Sequence, residues 1–217
     1  MGSDCFVQAL THRSAASKHN ERMEFLGDSV LGLIITNALY RRLPKASEGY
    51  LSRLRASLVN EGTLANIANE LSLGDFLRLG PGELKSGGFR RKSILSDTLE
   101  AVIASVYIEK GMECAHAFVL AIYTNRLDNL PNEDDLKDPK SRLQETLQSR
   151  GYDIPQYQLV STTGDAHRQV FTAQCMIESL DIQTKGVASS RRKAEQQSAQ
   201  NAYESVKLKF AKPKKSS

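Results

Sequence analysis

A chain of 217 residues with 40% apolar side chains has hydrophobic material for one large core or two smaller ones, which excludes a disordered or fibrous protein. Its net charge of +4 is unevenly spread: residues 1–137 carry 16 basic and 17 acidic side chains, whereas residues 138–217 carry 13 and 8, so an anionic partner belongs to the second part and is expected to be nucleic acid rather than membrane. Cys5, Cys114 and Cys175 are odd in number and lack CxxC spacing, and the longest apolar run, 30–39, is too short to span a bilayer, so neither a disulfide framework, a zinc site nor a membrane anchor is supported and a cytoplasmic protein is expected.

Residues 6–127 carry helical periodicity throughout, with helices expected at 5–15, 21–43, 47–59, 61–72, 92–109 and 112–127. The second of these opens on Glu21, Glu24 and Asp28, which fall within roughly 60° of one another at about 100° per residue. Like charges at this spacing cost a helix about 0.2–0.5 kcal/mol per pair, so helix stability does not explain them. Bland readings exist for each: Glu21 follows Asn20, a good N-cap, and complements the helix dipole; Glu24 pairs with an arginine; Asp28 is solvated. Gly27 beside Asp28 favours a site, because a mid-helix glycine costs about 1 kcal/mol and marks close approach by a backbone or ligand.

Between the fourth and fifth of these helices, the glycine-rich segment 79–88 leads into Arg90, Arg91 and Lys92, which reads equally as a phosphate-contacting loop or a solvated turn. Asp97 and Glu100 follow in a helix that is otherwise apolar nearly all round, so burial is expected for both. Buried carboxylates need a partner that offsets a desolvation cost of several kcal/mol. Two such clusters together point to a hard divalent cation, Mg²⁺, Mn²⁺ or Ca²⁺, held by oxygen ligands.

Residues 128–137 are polar and acidic with a proline, as in a linker. Asp138 and Pro139 then supply an N-cap and a first-turn proline for a helix that Gly151 stops near Arg150. Strands are expected at 156–162, 168–177 and 181–187, with Phe171, Ala173, Cys175 and Ile177 alternating in the second. A last helix at 190–208 puts Ala194, Ser198, Ala202 and Val206 on one face, and residues 209–217 form a basic tail. Arg191, Arg192 and Lys193 occupy that helix's first turn, where the dipole disfavours cations by about 0.3–1 kcal/mol each; either the turn is merely solvated or a phosphate backbone lies across it.

The stretch Asn20-Glu-Arg-Met-Glu-Phe-Leu-Gly-Asp28, with Met23 where leucine is usual, resembles the signature of bacterial ribonuclease III, and Asp97-Thr-Leu-Glu-Ala101 resembles that family's second catalytic stretch. The segment 186–195 is similar to the closing motif of a double-stranded RNA-binding domain, with Ala188 where glycine is common. The resemblance spans residues 6–208. It implies a multidomain α and α+β protein: an all-α endonuclease domain at 1–127, the linker 128–137, and an α-β-β-β-α double-stranded RNA-binding domain at 138–208. It implies hydrolysis of duplex RNA to 5′-phosphate and 3′-hydroxyl ends with short 3′ overhangs, in ribosomal, messenger and transfer RNA processing, by a homodimer using Mg²⁺, with Mn²⁺ able to substitute and no organic cofactor. By position, Glu24, Asp28, Asp97 and Glu100 are metal ligands, with Asp28 and Glu100 catalytic; Glu21 and Glu48 are accessory acids; Phe25 packs across the dimer interface. Gln144, Glu145 and His167 correspond to minor-groove contacts, and Ser190, Arg191, Arg192 and Lys193 to phosphate contacts.

The family usually has one more helix before Ala9, so Met1-Gly2-Ser3 reads as an expression scar or early truncation. His12 reads as structural, since no histidine falls in either acidic cluster. A di-iron oxidase would need Glu-x-x-His pairs beside its acids, and a nuclease-like binding protein would have lost one of the acids.

Overall fold

The computed structural model describes residues 4–165 and 168–211, which form two compact units, 1–132 and 133–217. The first is helical. Its elements are α1 (Asp4–Ala9), α2 (Glu21–Arg42), α3 (Glu48–Leu58), α4 (Glu61–Glu70), α5 (Pro81–Lys85) and α6 (Lys92–Asp128). Helices α2 and α6 are central, because their apolar stripes face each other: Leu31, Ile34, Ile35 and Leu39 of α2 and Leu95, Leu99 and Ile103 of α6 are all buried. α1 and α4 pack on α6, and the fully buried Tyr123 ties α6 to the end of α3 by donating to the Leu58 carbonyl at 3.1 Å.

Three expectations change here, and one holds. The first helix ends at Ala9 rather than continuing to 15, because residues 11–20 are drawn into a strap: Thr11 pairs with Arg78 as an isolated parallel bridge, and the Gly80 amide donates to Ser14 Oγ at 2.9 Å. Asn20 does not cap α2 with its side chain; that side chain is buried and donates to the Ala9 carbonyl at 3.3 Å. The glycine-rich segment contains the short helix α5, opened by Pro81 at its first turn. The two helices expected at 92–109 and 112–127 are present as the two arms of α6, separated at Gly111, whose φ of +79° suits glycine and interrupts the helical path.

The second unit runs α7 (Pro139–Gln148), β1 (Gln156–Thr163), β2 (Val170–Ile177), β3 (Ile182–Ala188) and α8 (Arg191–Ala211), with an antiparallel sheet in the order β1-β2-β3. Asp138 caps α7, its Oδ1 accepting from the Lys140 amide at 3.0 Å, as the Asp-Pro pair leads one to expect. Leu159 pairs with Ala173, and Cys175 with Thr184, with a register shift at Val160. Ala173, Cys175 and Ile177 face inward onto α8, where Ala194, Ser198, Ala202 and Val206 are all fully buried. A Cβ at Gly186 would meet the Ala194 carbonyl oxygen at 2.2 Å, so that glycine lets β3 lie directly against the start of α8. The linker segment contains a short 3₁₀ turn at Glu133–Leu136.

Candidate metal centre and nucleic-acid surface

One close approach builds the acidic site. A Cβ at Gly27 would sit 1.9 Å from the Glu100 carbonyl oxygen, so only glycine allows α2 and α6 to touch there. Glu24 lies three residues before that contact and Asp28 directly after it, on the helix that faces Asp97 and Glu100. Glu24, Asp97 and Glu100 each present a carboxylate oxygen within 4.8 Å of the others, close enough to share a cation. Asp28 is exposed and outside this trio, but its charge is the strongest of those that bear on Glu100.

The electrostatics describe a site short of positive charge. Burial pushes the Glu100 carboxyl up to about 8, and the negative charges of Asp28, Asp97 and Glu24 push the same way. Glu24 is raised by desolvation and then by Asp97 and Glu21, with Arg13 opposing. Asp97 is raised chiefly by desolvation, and the Ser96 hydroxyl, 3.2 Å from its Oδ1, opposes this. Asp97 is half-buried, because the cleft opens beside it, whereas Glu100 lies deeper and outside the cleft lining. Three raised carboxyls with no arginine or lysine bonded to them among the described residues form an oxygen donor set that a divalent cation would neutralise, and residues of this kind fit Mg²⁺ or Mn²⁺.

Glu24 and Asp97 also line a cleft of about 310 Å³ with Glu21, His12, Arg13 and Arg91 among its walls. Glu21 is an exposed acid paired with Arg13 at 3.0 Å, so its position at the cleft is held by an ion pair. Glu48 lies elsewhere, in the first turn of α3, where it accepts from Ser52 Oγ at 2.7 Å and borders a separate cavity of about 270 Å³ with Tyr40 and Leu39. His12, Arg13 and Glu83 were not among the expected site residues, and Arg91 was expected only as part of a loop that either contacts phosphate or is solvated. Arg91 stands within the cationic run that adjoins the second acidic cluster, a signal present in the sequence. The strap that carries His12 and Arg13 is fixed by contacts to residues 78–80, which no local pattern announces.

In the second unit, Arg191, Arg192 and Lys193 are exposed at the start of α8. Arg191 Nε bonds Glu195 at 2.9 Å, and Ser190 Oγ accepts from the Lys193 amide at 3.3 Å, capping the helix. Gln144 and Glu145 are exposed on α7, with Glu145 paired to Lys137 at 2.8 Å. His167 lies outside the described residues. Among those described, no helix is long and apolar enough to cross a membrane.

Comparison with known proteins agrees with both units. Residues 3–127 match the Ribonuclease-III-like family model, and residues 139–206 match the double-stranded RNA binding motif. Ribonuclease 3 of Proteus mirabilis is 52% identical over 206 residues, covering 95% of this chain and 91% of that protein; ribonuclease 3 of Shewanella denitrificans is 54% identical over 203 residues, covering 94% and 90%. The nuclease domain of ribonuclease III from Campylobacter jejuni superposes with a TM-score of 0.56 at 43% identity, covering 59% of this chain and 88% of that one. A second structure of that domain, concerned with flexibility in a region involved in its dimer formation, gives 0.57 at 43% identity and covers 59% and 92%. The chain belongs to the ribonuclease III family of metal-dependent endoribonucleases and carries a double-stranded RNA binding motif.

Proposed function

We propose that this protein is a Mg²⁺-dependent nuclease of the cytoplasm that cuts both strands of duplex RNA, leaving 5′-phosphate and 3′-hydroxyl ends with short 3′ overhangs, and that it matures ribosomal, messenger and transfer RNA precursors. The observation that carries this is the convergence of Glu24, Asp97 and Glu100 across the Gly27 contact. Residues 1–127 act as the endonuclease domain and 138–208 as the RNA-binding domain, with 128–137 between them. Glu24, Asp28, Asp97 and Glu100 hold the ions. Bound by these carboxylates, Mg²⁺ would supply the Lewis acidity that makes water a nucleophile and would offset the charge on the leaving 3′ oxygen. The residues themselves fix where those charges sit: Gly27 sets the helix separation, Ser96 orients Asp97, and Glu21 steadies Arg13 at the rim. No imidazole base is required.

Duplex RNA is held by the second unit through shape and backbone rather than base sequence. Arg191, Arg192 and Lys193 meet phosphates with Ser190, while Gln144, Glu145 and His167 reach the minor groove. Cutting both strands asks for two sites, and α2 supplies a surface for a second copy. Phe25, Leu33 and Tyr40, 79%, 59% and 72% exposed, recur along it at intervals of eight and seven residues, which places them on one stripe. Glu48, near Tyr40 and outside the acidic trio, then serves as an accessory acid toward the interface. The test is a plain RNA duplex incubated with the protein, with and without Mg²⁺, followed by analysis of the ends. Mg²⁺-dependent cutting to 5′-phosphates with 3′ overhangs is expected; cutting that ignores the metal, or selects single strands, contradicts the proposal.

A further inference from the structure

The cleft beside the acidic trio contains a cation that the metal chemistry does not use. Arg91 immediately precedes α6, six residues before Asp97 and so about 9 Å along the helix axis from it. It lines the same cleft as Glu24 and Asp97. It is half-exposed and paired with Glu83, a residue outside the acidic trio: Nη1 is 3.0 Å from Oε2 and donates to Oε1 at 3.2 Å, while Nη2 donates to Ser86 Oγ at 3.3 Å. One nitrogen thus faces both carboxylate oxygens, instead of two nitrogens making parallel bonds, the arrangement in which an arginine binds a carboxylate or phosphate best. The two ends of the pair differ: the Arg91 side chain is 46% exposed, whereas Glu83 is 26% exposed with its Oε2 shut off from solvent, so the guanidinium is the end that an incoming anion can reach.

Building on the nuclease reading above, we propose that Arg91 grips a phosphate of the RNA strand neighbouring the cut one, and that Glu83 occupies the guanidinium until RNA displaces it. A cleft walled by Glu21, Glu24, Glu83 and Asp97 repels an RNA backbone, and a planar fork that exchanges one anion for another offers attraction there without leaving a bare cation in the free protein. Gly88 keeps the exchange local: a Cβ there would meet Glu83 Oε2 and its carbonyl oxygen at 2.9 Å, so the turn after α5 wraps closely around the glutamate.

The alternative role for the pair is a staple that holds the segment 83–91 in place, and the two roles predict different signs. The full chain cleaving an end-labelled RNA duplex in Mg²⁺ reads them, as KM, kcat and melting temperature for wild type, Arg91→Gln, Arg91→Lys and Glu83→Gln. Phosphate gripping predicts that Arg91→Gln raises KM roughly fivefold with kcat changed less. It also predicts that Arg91→Lys recovers part of the loss, and that Glu83→Gln lowers KM because the guanidinium no longer has to leave a carboxylate. A rise in KM for both Gln variants, or an unmoved KM with a lower melting temperature for both, overturns the proposal. If Arg91→Gln does not fold, Glu83→Gln decides alone, and a raised KM counts against the idea. A wild-type chain that leaves the duplex intact removes the nuclease reading and this one together, whereas cutting by wild type with coinciding signs removes only this one.

Discussion

Gly27 and the Glu100 carbonyl define the distance between the two central helices: a Cβ at residue 27 would lie 1.9 Å from that oxygen and 2.4 Å from its carbon. Since both neighbours are backbone, neither can swing aside. Gly27→Ala is therefore expected to force α2 and α6 apart and to destabilise the helical unit by about 3 kcal/mol, toward the upper end of overpacking costs. Its melting transition should fall by roughly 10 °C. Thermal denaturation followed by circular dichroism measures this, and a metal titration on the folded fraction should show weaker binding. A substitution without effect on either would mean that the helix contact does not set the spacing of the carboxylates.

Glu100 predicts a pH dependence with a definite sign. Its carboxyl is raised from 4.5 to about 8 in the folded protein, so between those values the folded state holds a proton that the unfolded state has lost. Metal-free stability therefore falls as pH rises through this window, and the penalty is complete above about pH 8. Glu24 and Asp97, also raised, act in the same direction. Urea denaturation in EDTA should show a less stable protein at pH 8 than at pH 6, with a shallower decline in Glu100→Gln. Mg²⁺ should restore wild type at pH 8 more than the variant. An identical decline in both proteins would show that Glu100 is not the titrating group.

The first turn of α8 predicts how binding responds to salt. Arg192 is exposed, whereas Arg191 already gives its Nε to Glu195. Changing Arg192 to Ala should weaken duplex binding for all sequences alike and reduce the salt slope by about 1. Arg191→Ala should cost less, because part of its charge is compensated in the free protein. Filter binding across a salt series, with two unrelated duplexes, tests this; a loss confined to one sequence would indicate base reading.

Phe25 predicts assembly. Its ring is 79% exposed on α2, so replacing it changes little inside the subunit. Phe25→Glu should leave the melting curve of the subunit nearly unchanged, within about 0.5 kcal/mol, while shifting the protein from dimer to monomer in sedimentation. Two-strand cutting should fall with it. A variant that sediments like wild type would move the interface away from the α2 stripe.

Much of this was legible because it is local. Helix spacing put Glu21, Glu24 and Asp28 on one side of α2, a mid-helix glycine signalled the close approach that Gly27 makes, and Asp-Pro marked the start of α7. Alternation at 171–177 marked the central strand. What escaped depends on contacts between distant residues. The helix expected to reach residue 15 stops at Ala9 because Thr11 and Ser14 bond to residues 78–80, and Asn20 turns its amide inward to Ala9 instead of capping. The same strap brings His12 and Arg13 to the cleft, so their place could not be read from spacing. Asp97 sits in an apolar sequence, yet the cleft beside it leaves it half-buried, a matter of how α2, α6 and the strap meet rather than of the helix alone, while Glu100 lies deeper, as its apolar helix leads one to expect.

The central claim, that Glu24, Asp97 and Glu100 cage a divalent cation, is tested most directly by anomalous diffraction from crystals grown with Mn²⁺. The account predicts a peak within bonding distance of those three carboxylates, lost in Glu100→Gln. Carboxylates turned instead toward Arg13 or Arg91, with no peak between them, would contradict it.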